Sequence, residues 1–149
     1  MRSTLKKFCC TIAFTATVVG SFIPAIPILN SAANAAPAKS GWVAVTTDSR
    51  NKTWYVDNGS IQGRGRYRYF WSYIVGGTPY PDSGKIAYST AFYLSVDCQQ
   101  KRFRLRFAKS LDENNKVIKE YDFGDKGPMG GARADSGEAA SLNHVCSRR

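Results

Sequence analysis

The segment Arg66-Tyr67-Arg68-Tyr69-Phe70-Trp71-Ser72-Tyr73-Ile74-Val75 is dense in aromatic and β-branched residues and alternates in character along its whole length. Successive side chains of an extended chain point to opposite sides. Tyr67, Tyr69, Trp71, Tyr73 and Val75 therefore share one face, and Arg66, Arg68, Phe70, Ser72 and Ile74 the other. A period of two in such residues predicts one long strand.

The flanking segments follow the same rule. After the loop Gly76 to Gly84, a second long strand from Ile86 to Cys98 places Tyr88, Thr90, Phe92, Leu94, Val96 and Cys98 on one face. Ala87, Ser89, Ala91, Tyr93 and Ser95 are left pointing outward. Past a turn at Gln99-Gln100, Phe103, Leu105 and Phe107 face inward and alternate with Arg102, Arg104 and Arg106. Val117 to Phe123 reads as a further strand, and Asp112-Glu113-Asn114-Asn115 as the hairpin turn before it. Upstream, Trp42 to Thr46 and Thr53 to Val56 are two short strands separated by turn formers. The sum is an antiparallel meander of about six strands.

The period changes near the end. Asp135-Ser136-Gly137-Glu138 has the Asp-x-x-Glu spacing of a capping box, so a helix is expected to begin there. Ala139, Leu142 and Cys146 fall on one helical face at spacings of three and four, with His144 on the exposed side. Leu142 and Cys146 can then lie on the sheet face that carries Cys98. The fold class expected is α+β, with the helix tethered to one face of the sheet.

The first 35 residues differ in kind. A basic head of Arg2, Lys6 and Lys7 is followed by an apolar stretch from Phe8 to Leu29 and by small residues at Ala33 and Ala35, and no acidic residue occurs before Asp48. This is the pattern of a signal peptide cleaved after Ala35 or Ala36. The prolines Pro24 and Pro27 and the cleavage site argue against a retained membrane anchor, so no transmembrane helix is expected to remain. Residues 36–41 read as a short leader and residues 42–149 as a single domain. Removing three basic and no acidic side chains from the +10 of the whole chain leaves a mature chain of +7. Its two cysteines, Cys98 and Cys146, sit in a compartment that oxidises thiols and are expected to form one disulfide rather than two buried thiols.

Trp42-x-x-Val45, Trp54-Tyr55-Val56-Asp57-x-x-Ser60-Ile61, the aromatic strand, the long strand ending in Asp97-Cys98, and Glu138-Ala139 followed by Val145-Cys146 together resemble the surface-adhesin protein E family over nearly the whole mature chain. The resemblance implies an antiparallel sheet with a disulfide-tied C-terminal helix, a tendency to form homodimers through the sheet, and binding of extracellular glycoproteins. One feature departs from it. The best-known adhesins of that type display basic side chains on the strand leading to the first cysteine, where this chain has Ala87, Ser89, Ala91, Tyr93 and Ser95.

Chemistry is sparse. With one histidine and two paired cysteines there is neither a nucleophile, base and orienting set nor a metal-ligand set, so no catalytic, metal or cofactor residue is assigned. The glycine clusters lack the spacing of a phosphate-binding loop. Arginine at alternate positions stands out instead. Arg102, Arg104 and Arg106, extended by Arg66 and Arg68, form the expected surface for anionic ligands: acidic glycans, lipid headgroups or acidic protein segments. Such a comb also serves simply to keep a sheet soluble. Charge alone would permit nucleic acid, but export makes that the wrong compartment. The expected function is a non-enzymatic exported binding module at the cell surface or secreted. The alternative is an accessory domain or small-ligand binder confined to a periplasm or thylakoid lumen.

Overall fold

The computed structural model describes residues 41–148, so the expected signal peptide and all but the last residue of the leader lie outside the described residues. Among the described residues are eight strands and one α-helix: β1 Trp42–Thr47, β2 Lys52–Asp57, β3 Gln62–Arg64, β4 Tyr67–Asp82, β5 Lys85–Asp97, β6 Arg102–Leu111, β7 Val117–Asp122, β8 Met129–Gly131 and α1 Gly137–Cys146. All pair antiparallel in one sheet of order β1-β2-β4-β5-β6-β7, with β3 added beside β4 and β8 beside β6. The six-strand path is the expected meander. β3 and β8 are short, glycine-containing segments without a readable period.

Two hairpins share one turn chemistry. Asp48 Oδ1 accepts from the amides of Arg50 and Lys52, and Asp112 Oδ1 accepts from those of Asn114 and Lys116. Asn51 and Asn115 close these turns in the left-handed region, which asparagine tolerates. The amide of Lys52, first among its partners, holds the Asp48 carboxyl below the usual carboxylate range.

The main core lies between the helix and one sheet face. Val56, Phe70 and Val96 meet Leu142 and Val145, with Leu94, Phe103, Cys98 and Cys146 packed around them. Cys98 and Cys146 are bonded, with Cα atoms 5.6 Å apart, so the disulfide ties α1 to the end of β5 as expected. The helix starts one residue later than the Asp-x-x-Glu spacing implies. Ser136 is the cap, its Oγ accepting from Ala139 N at 3.2 Å. Asp135 sits at φ 59°, outside the extended geometry a capping residue needs. The first helical turn is pressed onto Trp54: a Cβ on Gly137 would lie 2.0 Å from Trp54 Cε2.

His144 is not on the exposed side. Its Nε2 lies 2.8 Å from Asn58 Oδ1, in the 3-10 turn Asn58–Ser60 that follows β2. The ring is half-buried there, and burial, followed by the charge of Arg148, lowers its pKa.

The opposite face is not the open surface that its small β5 residues suggest. Ala87, Ser89 and Ser95 are buried. The register explains why: Ser89 lies between Val75 and Leu111, Ala91 between Tyr73 and Lys109, and Ser95 between Tyr69 and Arg104. Large side chains on β4 and β6 close over small ones on β5. Tyr73, only 2% exposed, packs with Val75 and Leu111 and beneath Trp42 and Tyr55, and its hydroxyl donates to Asn115 Oδ1 at 2.6 Å.

Candidate ligand-binding surface

The face away from the helix carries the arginines, and β6 explains how it was built. Val96 pairs with Phe103 and Leu94 with Leu105, but Tyr93 then pairs with Phe107, so Arg106 is the extra residue of a β-bulge. A bulge shifts the alternation by one residue. Phe103 and Leu105 face the helix as expected, whereas Phe107 is turned to the arginine side, where its ring centroid lies 6.0 Å from that of Trp71. Strict alternation had put Phe107 inward.

An aromatic floor results. Tyr69 and Tyr93 lie 6.3 Å apart between centroids, and Tyr93 and Trp71 5.3 Å. Cations lie over it: the Arg106 and Arg64 guanidinium carbons are 5.0 and 5.3 Å from the centre of the Tyr69 ring, and Lys109 Nζ is 5.7 Å from that of Trp71. Such contacts favour the charged, extended conformers of these side chains. At the Tyr67 end the face sinks into a hollow of about 260 Å³ lined by Tyr67, Tyr69, Asp97, Arg102, Arg104 and Arg106, with Asp125 and Met129 on its rim.

The expected arginines are not equivalent. Arg102 is exposed and, among the described residues, has no ion-pair partner. Arg66 enters from the β3–β4 turn: its Nε lies 3.0 Å from Asp97 Oδ2 and its Nη2 donates to the Tyr67 hydroxyl at 3.0 Å. That hydrogen bond, then the charge of Asp97, raises the Arg66 pKa further. Asp97 is 3% exposed, and its Oδ1 accepts from the amides of Gln99 and Gln100. Arg106, 19% exposed, donates through Nε to Ser95 Oγ at 2.8 Å and pairs through Nη1 with Asp125. Asp125 is 90% exposed, and the Arg106 guanidinium keeps its carboxyl below the usual range.

Arg104 is committed to the fold. Its Nη1 donates to the carbonyls of Asp125 and Gly127 at 2.7 and 2.9 Å, and its Nη2 to Met129 Sδ at 2.7 Å, clamping the loop between β7 and β8. Arg68 is separated from the group. It pairs in register with Val96, on the helix side, and its guanidinium lies over Gly63. The surface therefore gathers Arg66, Arg102, Arg104 and Arg106, leaves out Arg68, and adds Arg64, Lys109, Tyr67, Tyr69 and Tyr93. Period two along β6 located its centre. The bulge and the loop carbonyls, set by partners distant in sequence, left no local signal.

Among the described residues no three His, Cys, Asp or Glu side chains gather as a metal site, and no helix is long and apolar enough to cross a membrane.

Comparison with known proteins agrees with this architecture. The fold is similar to that of protein E of Haemophilus influenzae: one structure has a TM-score of 0.51 at 13% identity, covering 74% of this chain and 87% of the other. A second crystal form has a TM-score of 0.54 at 13% identity, covering 77% and 94%. Protein E from non-typeable H. influenzae has a TM-score of 0.53 at 14% identity, covering 77% and 81%. No curated protein matches the chain. The profile of the surface-adhesin protein E family matches residues 42–147, the whole of the sheet and the helix, and the chain belongs to that family.

Proposed function

We propose that this protein is an exported, non-enzymatic binding module that engages anionic groups on extracellular glycoproteins or acidic glycans through the hollow around Arg102. The observation that carries this reading is the convergence of Arg102, Arg104 and Arg106 on one concavity with a tyrosine floor, in which Arg102 is exposed and, among the described residues, without a partner charge; Arg66 reaches its wall through the ion pair with Asp97. A planar guanidinium pairs in two-point fashion with carboxylate or sulfate, and the tyrosine rings supply a surface for the rest of a ligand. Membership of the adhesin family supports a binding role.

The roles differ by residue. Arg102 is the primary anion contact. Arg106 is the second, and its exposed partner Asp125 is the charge a ligand must displace. Arg66 is held in place by buried Asp97, and Arg104 shapes the loop wall.

Retention on immobilised heparin tests the reading. The parent should bind at low salt and elute as the Debye length contracts from about 10 Å at 0.1 M toward about 3 Å at 1 M. Arg102→Gln should elute earlier, and Arg68→Gln, on the other face, with the parent. Equal retention of parent and Arg102→Gln at every salt concentration would overturn it. Protease treatment of intact cells tests location: digestion supports a surface role, whereas full protection would favour an accessory domain of a periplasm or thylakoid lumen.

A further inference from the structure

A second concavity, of about 470 Å³, lies on the helix side of the sheet, past Trp54, on which α1 begins. Its floor follows from register. Ile74, Thr90 and Ser110 are neighbours across β4, β5 and β6, and Phe92, Ala108 and Tyr121 are neighbours across β5, β6 and β7. The roof comes from the long β4–β5 hairpin. Between the pairs Val75 with Ser89 and Tyr80 with Ala87, β4 carries the extra residues Gly76 to Pro79 against Tyr88 alone, and this irregularity turns the arm. Gly76 is required there, at φ 88° with a would-be Cβ 2.3 Å from the Asn51 carbonyl oxygen. The arm is latched at two points: the Tyr121 hydroxyl donates to Asp82 Oδ1 at 2.6 Å, and the Tyr80 hydroxyl lies 2.8 Å from Thr90 Oγ1.

The polar groups of this cavity are incompletely matched. Ser110 is 2% exposed and its Oγ has no hydrogen-bond partner among the described residues. A buried hydroxyl without a partner carries a desolvation cost that a ligand can relieve. Asp82 also lines the cavity, and the hydroxyls of Ser110 and Tyr121 beside it hold its carboxyl below the usual range. A group that accepts from Ser110 while donating to Asp82 would satisfy both, and a hydroxyl does both at once.

We infer that this cavity is a saccharide site, in which a sugar ring lays its C–H face on Phe92 and Ala108 while one of its hydroxyls bridges Ser110 and Asp82. The volume lies within the range of small-molecule sites, and an apolar floor with few convergent polar groups is their usual composition. The site lies on the opposite face from the arginine hollow and does not depend on it.

The test is an amide chemical-shift titration of the labelled protein with N-acetylglucosamine, galactose and mannose, with glycerol as the control polyol. At least one sugar should give saturable shifts at Phe92, Ala108 and Tyr121 in the millimolar range. Ser110→Ala removes an unpaired buried hydroxyl, so it should fold at least as stably as the parent while binding about tenfold more weakly, the loss of one hydrogen bond. Asp82→Asn should weaken binding as well. Absence of shifts with all three sugars, an equal response to glycerol, or undiminished affinity in Ser110→Ala would each overturn the inference. Arg102→Gln should leave this titration unchanged, which separates its failure from that of the arginine surface.

Discussion

Arg104→Gln and Arg102→Gln exchange the same residue types two positions apart on one strand, and they should differ sharply in stability. Arg104 donates to two loop carbonyls at 2.7 and 2.9 Å. Hydrogen bonds with one charged member contribute about 1.5–3 kcal/mol each. Glutamine retains one donor and the site is only half-buried, so the expected loss is about 2 kcal/mol, on the order of 10 °C in Tm for a domain of this size. Arg102 is exposed and, among the described residues, without an ion-pair partner, so its replacement should change stability by about 0.5 kcal/mol or less. Urea unfolding followed by tryptophan fluorescence reads both, and an unchanged slope in urea would show that the midpoint shift reports stability. If Arg104→Gln unfolds within about 0.5 kcal/mol of Arg102→Gln, the assignment of Arg104 to the loop is refuted. Arg104 then belongs with the ligand-facing charges.

Four further outcomes are expected. The mass of the folded protein should be two hydrogens below that of the dithiol, and the Cys98→Ser, Cys146→Ser double variant should lose about 4 kcal/mol on the chain-entropy account of a loop this long; a loss under about 1 kcal/mol would contradict it. Gly137→Ala drives a methyl into the Trp54 ring and should cost about 3 kcal/mol with an altered tryptophan emission spectrum, and an unchanged spectrum and midpoint would contradict that packing. His144 has a lowered folded-state pKa, so the unfolded chain takes up its proton first: stability should be full above the unfolded value of about 6.5 and decline as pH falls through the lower folded value. His144→Gln should flatten that decline relative to the parent. Asp125→Asn frees Arg106 and should delay elution from heparin, whereas earlier elution would show that Asp125 supports the surface instead of competing for it.

Much of this architecture was legible because strands announce their faces. The alternation in Tyr67 to Val75 and in Ile86 to Cys98 identified the two central strands and placed Cys98 on the helix side, where it meets Cys146. The errors arose where a non-local partner decided the outcome. Phe107 crosses to the arginine face because Arg106 bulges, and nothing between Arg102 and Leu111 marks the residue at which pairing slips. Ser89 and Ser95 look like surface residues in β5 alone and are buried because larger neighbours on β4 and β6 cover them. His144 falls opposite the core stripe of the helix, yet the turn at Asn58 closes over that side. The charge comb was visible, but its division into a free Arg102, a clamping Arg104 and a paired Arg106 depends on a loop about twenty residues downstream.

Amide and side-chain shift mapping with a heparin-derived oligosaccharide at low salt tests the arginine hollow as an anion site. Shifts should centre on Arg102 and Arg106, with Tyr67, Tyr69 and Ser95, collapse in Arg102→Gln, and leave Arg68 and α1 unmoved. Shifts confined to the helix face, or of equal size in parent and Arg102→Gln, would contradict it.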